Sequence, residues 1–284
     1  MIREALQKVQ GYAATDGGGV HLIRVLGSMT YEIFDPFLML DSFDSKNPED
    51  YVAGFPMHPH RGIETISFVS SGKMRHSDSV GFEGTISDGE VQFMTAGSGV
   101  EHEENIPAVE RLCGLQLWLN LPAANKMVEP EYHAIKRSEI KEIPIETGNG
   151  GKVRLLVGNY LNYKGYQTKY LPLDYYDIHL NADSYIKIDT ENNRSCMIFT
   201  LEGEVEIEGD IISAKTAVKL SEGDSVTIST IDKPAEVMFM SSVALKEHAY
   251  WGGPIVMDSM ENLYKAFAEL KDGTFLKSKV HYKV

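Results

Sequence analysis

No part of this chain carries a long apolar run. Its apolar segments are short, and glycine, aspartate, asparagine or proline interrupts them at the intervals typical of antiparallel sheets. HLIRVLG, ETISFVSSG, GEVQFMTAG, RLCGLQLWLNL, KVRLLVGNYL, YYDIHLNA, SCMIFTLEGEVEIEG, TAVKLSEGDSVTIST and AEVMFMSSVAL all read this way. A chain built of such segments is expected to fold as packed antiparallel sheets, with little helix. The exception is DSMENLYKAFAELKDG, where Met260, Leu263, Phe267 and Leu270 recur at helical spacing. Asp258 with Glu261 makes a capping pattern and Gly273 suits the exit, so the spacing predicts a C-terminal helix with an apolar docking face.

A length of 284 residues exceeds the usual size of one domain and fits two packed domains. A loose internal repeat supports that division. A strand ends near Gly72 and another starts at Gly89; in the second half Gly203 and Gly223 punctuate LEGEVEIEG and LSEGDSVTIS in a similar way. Two similar all-β modules are expected, 1–130 and 131–284, joined in the polar region that ends in GNGG.

Composition removes several classes of function. A formal net charge of −14 speaks against a broad phosphate-binding surface, since nucleic-acid affinity comes largely from Lys and Arg, so no direct nucleic-acid binding is expected. Cys113 and Cys196 each begin an apolar run, and two cysteines make no disulfide framework; they read as buried free thiols. The first nineteen residues lack a long apolar core, and no segment is apolar enough to span a bilayer. The expectation is a soluble, cytoplasmic protein.

The two halves differ in their histidines. FPMHPHRGIET places His58 and His60 one residue apart, so in a strand both imidazoles share a face. In VEHEEN, His102 and Glu104 share a face if the segment is extended, while Glu101 and Glu103 point the other way. Three neutral imidazoles and one carboxylate suit a first-row divalent metal such as Fe(II), Mn(II), Ni(II) or Zn(II). Glu64 competes for the carboxylate position, having the parity of His60, and Glu103 competes if a bulge turns its strand. His21, His76, His133, His179, His248 and His281 read as ordinary surface or core histidines, His76 least securely. Arg61 and Glu64 read equally as support for the metal ligands or as a structural pair at the barrel rim. The equivalent turns of the second half hold no histidine, which places the chemistry in the first module.

HPHRGIET, HSDSVGFEG, GEVQFMTAGSGVEHEE and WGGPIVMDSMENLYKAFAELKDGTF together resemble the pirin family of the cupin superfamily, over most of the chain and most densely in 54–122. The resemblance implies a bicupin: two antiparallel β-barrels of jelly-roll type, the first holding a metal and the second having lost its ligands. Carried onto this sequence, the ligands are His58, His60, His102 and Glu104. Glu90 and Phe93 stand where Asp and Trp are usual, and Glu101 and Glu103 add negative charge near the site.

The same resemblance implies one divalent ion, with Fe(II) the first expectation and Mn, Ni, Co, Cu or Zn the alternatives. It also implies two functions. One is a quercetin 2,3-dioxygenase type of reaction, in which a flavonol or related enediol is opened with O2 and Glu104 doubles as ligand and base. The other is a metal- or redox-sensing regulator that binds a transcription factor or a metabolic enzyme. An apolar cavity lined by Phe55, Met57, Phe93 and Met94 would favour the enzyme.

Overall fold

The computed structural model describes residues 1–278; His281 lies outside them. Strands dominate, and among the described residues the pattern of apolar runs and glycine turns appears as six sheets. No helix among the described residues is long and apolar enough to cross a membrane.

The chain forms two compact units, and neither is a contiguous half. One comprises Met1–Tyr12, Val25–Pro36 and Arg137–Ala244; the other comprises Ala13–Arg24, Phe37–Lys136 and Leu245–Val284. The proposed division at residue 130 follows chain order, whereas each compact unit takes up a terminal segment distant in sequence. In the first, the Ala5–Gln10 strand pairs with Thr216–Leu220 at the end of a seven-stranded sheet. Buried Arg3 fixes that terminus by donating to Thr190 Oγ1 at 2.8 Å, Ser221 O at 2.6 Å and Glu191 O at 2.8 Å. In the second, the C-terminal segment is tied down through Arg61. Its guanidinium reaches Glu269 at 2.7 Å and Phe275 O at 2.7 Å, and lies over the Phe275 ring. Arg61 therefore pairs with Glu269 and not with Glu64.

Each unit joins a seven-stranded sheet to a four-stranded one, and the strand orders match. The small sheet of the second unit runs Phe55–His60, Val100–Asn105, Lys73–Asp78, Glu83–Ser87; that of the first runs Tyr185–Asp189, Ser225–Ser229, Glu204–Ile207, Asp210–Ser213. These are two antiparallel cupin barrels. Gly72 and Gly203 occupy equivalent turns, but the second glycine pair does not. Gly89 precedes the Glu90–Thr95 strand, whereas Gly223 follows Thr216–Leu220; the strands Glu83–Ser87 and Asp210–Ser213 that precede these are only five and four residues long, too short for alternation to be read from sequence.

Both cysteines are free and buried. The helix spans Met260–Lys271, but Ser259 caps it by accepting from Asn262 N at 3.1 Å, while Asp258 accepts from the Asn262 side chain. Leu263 and Ala266 bury its inner face; Met260, Tyr264 and Phe267 are exposed.

Candidate metal centre

His58 and His60 end the Phe55–His60 strand, and His102 sits opposite His58 on the antiparallel Val100–Asn105 strand. Period-two alternation puts all three imidazoles on one face, and their donor atoms lie within 4.8 Å of one another. His60 and His102 are fully buried; His58 is partly exposed, so solvent approaches past it and the exposed Met57.

The hydrogen bonds of these rings disclose their chemistry. His58 Nδ1 lies 2.8 Å from Pro56 O and His60 Nδ1 lies 3.1 Å from Pro254 O. A carbonyl oxygen only accepts, so both Nδ1 atoms carry the hydrogen and both Nε2 atoms present bare lone pairs. Those Nε2 atoms face each other at 3.1 Å. Two lone pairs at that distance repel unless a cation stands between them. His102 Nε2, buried, has no hydrogen-bond partner. Burial and the neighbouring His58 push His60 down to about 3, and burial with the surrounding histidines holds His102 well below the usual imidazole range. Neutral rings with free Nε2 atoms are what a divalent first-row ion binds, and the set fits one.

Glu104 stands one pleat beyond His102, on the same face. Three donors hold its carboxylate: Ser67 Oγ at 3.3 Å and Gln92 Nε2 on Oε1, and Gln116 Nε2 at 2.7 Å on Oε2. The 4.8 Å group comprises the three imidazoles without this carboxylate. The competitors are placed elsewhere. Glu103 turns outward and accepts from Ser77 Oγ at 2.8 Å. Glu64 has lost the parity of His60 because the chain turns at Gly62, whose φ of +78° and close approach to Val256 O admit no side chain. The next strand starts at Ile63, and Ser67, an odd number of residues from Glu64, is the one that reaches Glu104. Glu64 instead accepts from Thr95 Oγ1 at 2.8 Å, and burial raises it to about 7.

Beyond the ligand candidates the site contains residues the sequence did not single out. Trp118 packs edge-on against His60 with centroids 4.9 Å apart, and Trp251 lies 5.9 Å from Trp118. His76 Nδ1 is 3.3 Å from His102 Nδ1, which removes it from the ordinary histidines. Phe93, expected to line the cavity, faces away: its neighbour Gln92 is the residue that reaches Glu104. Phe55 belongs to the hydrophobic core of the barrel.

Residues 19–119 match the pirin family and residues 175–276 match the pirin C-terminal cupin domain. A pirin-like protein of Caulobacter vibrioides is 38% identical over 279 residues, covering 96% of this chain and 99% of its own. Human pirin is 34% identical, covering 91% of this chain and 89% of its own. Among solved structures, a quercetin 2,3-dioxygenase from Acinetobacter baumannii superposes with a TM-score of 0.88 at 29% identity, covering 97% of this chain and 99% of that one. The bacterial pirin YhhW of Escherichia coli, in complex with nickel(II), shares the fold at 20% identity, with a TM-score of 0.63, covering 84% of this chain and 98% of that one. With two cupin barrels, matches in both and relatives aligned over nearly their full length, this chain belongs to the pirin family.

Proposed function

We propose that this chain is a cytoplasmic metal-dependent dioxygenase that opens flavonols such as quercetin with O2, using a divalent ion, Fe(II) first, held by His58, His60, His102 and Glu104. The observation that carries the reading is the pair of lone-pair-bearing Nε2 atoms facing each other at 3.1 Å beside the unpartnered Nε2 of His102. The named activity of the Acinetobacter baumannii relative supports the choice of substrate class.

When bound, such an ion polarises the adjacent oxygens of an enediol and brings dioxygen into the redox step. The chain supplies the rest. Glu104 is the single anion of the proposed set, and its Oε2, which among the described residues accepts from Gln116, is the oxygen that would turn to the ion beside the imidazoles. In this reading Glu104 also takes the hydroxyl proton of the flavonol as its anion forms, releasing the Gln116 donor from Oε2 to do so. Trp118 and Trp251 give a planar ligand an aromatic wall beside His60. Burial of His60, His102 and Glu104 excludes bulk water from the inner side.

Fe-reconstituted protein should shift the absorption band of a flavonol and consume oxygen with it. Loaded protein that does neither moves the assignment to a regulator. That second reading, a metal- or redox-sensing protein docking on a transcription factor or metabolic enzyme, draws on the exposed Met260, Tyr264 and Phe267 of the C-terminal helix.

A further inference from the structure

We propose that His76 is a positioning residue that fixes the tautomer of His102 through an Asp78–His76–His102 relay, so that His102 Nε2 is held as a bare donor toward a metal ion. The inference rests on the metal-binding reading of the three imidazoles and not on any substrate.

Each step of the relay follows from donor and acceptor chemistry. Asp78 Oδ2 lies 3.0 Å from His76 Nε2, and an ionised carboxylate only accepts, so His76 carries its hydrogen on Nε2. In the neutral ring His76 Nδ1 is then the acceptor, and its neighbour at 3.3 Å, His102 Nδ1, is the donor. His102 consequently holds its hydrogen on Nδ1, which leaves the lone pair on the buried, unpartnered Nε2. His58 and His60 obtain the same tautomer from backbone carbonyls; His102 alone obtains it from a side chain.

The surroundings hold His76 in place. Its side chain is fully buried and that of Asp78 nearly so. Tyr132 stacks on the imidazole with centroids 4.3 Å apart and rings 14° from parallel. A side chain at position 84 would collide with the Tyr132 hydroxyl, so Gly84 makes room for the stack. Asp78 Oδ1 accepts from Val80 N and Phe82 N at 2.9 and 3.0 Å, which sets the carboxylate rigidly and makes it a poor site for a test substitution.

The test therefore uses His76. His76→Phe keeps a ring for Tyr132 and removes the acceptor; His76→Asn places an amide oxygen where Nδ1 stood. Co(II) affinity, measured by chelator competition and by the visible band of the bound ion, should fall about ten- to a hundredfold in H76F and stay within about threefold of wild type in H76N. Nitrogen-15 correlation spectra of the metal-free wild-type protein should show His102 protonated on Nδ1 and His76 on Nε2. Wild-type affinity in H76F, or His102 protonated on Nε2, overturns the relay in a protein that still binds Co(II). A wild-type chain that binds no Co(II) overturns the metal reading itself and with it the purpose of His76. Should H76F fail to fold, the wild-type spectra alone decide.

Discussion

The two barrels share a strand order and differ in what they place inside the same pair of strands. In one, Phe55–His60 and Val100–Asn105 bring His58, His60, His102 and Glu104 inward. In the other, the corresponding Tyr185–Asp189 and Ser225–Ser229 bring Ile186, Ile188, Val226 and Ile228 into a continuous hydrophobic cluster. Burying the side chains of Ile186 and Ile188 stabilises a barrel by about 1.5–3 kcal/mol each. Burying imidazoles and a carboxylate costs free energy unless partners satisfy them. The barrel with the histidines meets that cost with Pro56 O, Pro254 O, Asp78, Gln92 and Gln116, and still leaves His102 Nε2 without a partner and the Nε2 atoms of His58 and His60 facing each other. A fold that tolerates a sealed apolar filling keeps the polar one for what those atoms bind.

The comparison breaks most visibly if metal is found in the wrong barrel. Metal analysis should give a single ion per chain, and His60→Ala should lower affinity by more than the roughly hundredfold typical of supporting residues. Glu104→Gln keeps volume and removes the anion, so it should empty the site further than Glu103→Gln or Glu64→Gln. A chain emptied by Glu64→Gln and loaded in Glu104→Gln would reverse the assignment of the carboxylate.

The converse experiment strips the apolar filling. Ile188→Ala should destabilise the protein by about 2–5 kcal/mol through the cavity it leaves, measured by denaturant unfolding, with metal content unchanged. A variant that loses metal along with stability would show that the barrels are not separable in this way.

How much of this contrast was legible in the sequence depends on the length of the signal. His58, His60 and His102 could be read because two-residue periodicity survives within a single strand. Glu64 could not, because a turn at Gly62 resets the parity, and a glycine in HRGIE reads equally as strand or turn. His76 looked ordinary because the contact that sets it apart is with a residue 26 positions away, across strands whose register only the fold supplies. The Ala5–Gln10 strand was invisible for another reason: as an end strand it is mostly exposed and carries no alternation of apolar and polar residues. The C-terminal helix was clear in its period and wrong in its cap, since Asp258 and Ser259 are both good capping residues and sequence cannot rank them.

Glu64 sharpens the comparison from within the unit that holds the candidate metal centre, because it is a buried carboxyl that pairs with Thr95 and not with the histidines. Burial raises it to about 7, against the Thr95 hydrogen bond that lowers it. The native state thus binds a proton that the unfolded state releases above about pH 4.5. Its stabilisation is complete below that pH and is lost as pH rises through about 7. Glu64→Gln should therefore flatten the fall in stability between pH 5 and 8, and at pH 8 be more stable than wild type by an amount on the order of 1–3 kcal/mol. An unchanged pH profile would mean that Glu64 is ionised in the folded protein.

The smallest effect concerns the other histidine–carboxylate group, Asp177, His179 and Glu236 in the first unit. It resembles a metal site in composition and differs in its charges. Arg154 Nη1 donates to Asp177 Oδ2 at 2.8 Å, and His179 Nε2 meets the same oxygen at 3.1 Å. Burial would lower His179, but the hydrogen bond and charge of Asp177, with Glu236 behind them, raise it above the usual imidazole value. The cluster thus holds its cation already, in Arg154, and favours a protonated ring, the form that cannot ligate. Its contribution to stability is present below about pH 6.5 and fades as pH rises through the raised value. The side chain of His179 is about a third exposed, so solvent screens the pair and the contribution stays under about 1 kcal/mol. His179→Gln should accordingly leave the metal content unchanged and remove a shallow pH dependence near neutrality, read from unfolding midpoints at pH 6 and 8. If that substitution lowers metal content, the resident arginine does not exclude a second ion, and the two barrels differ in degree where the hydrophobic filling of one implies a difference in kind.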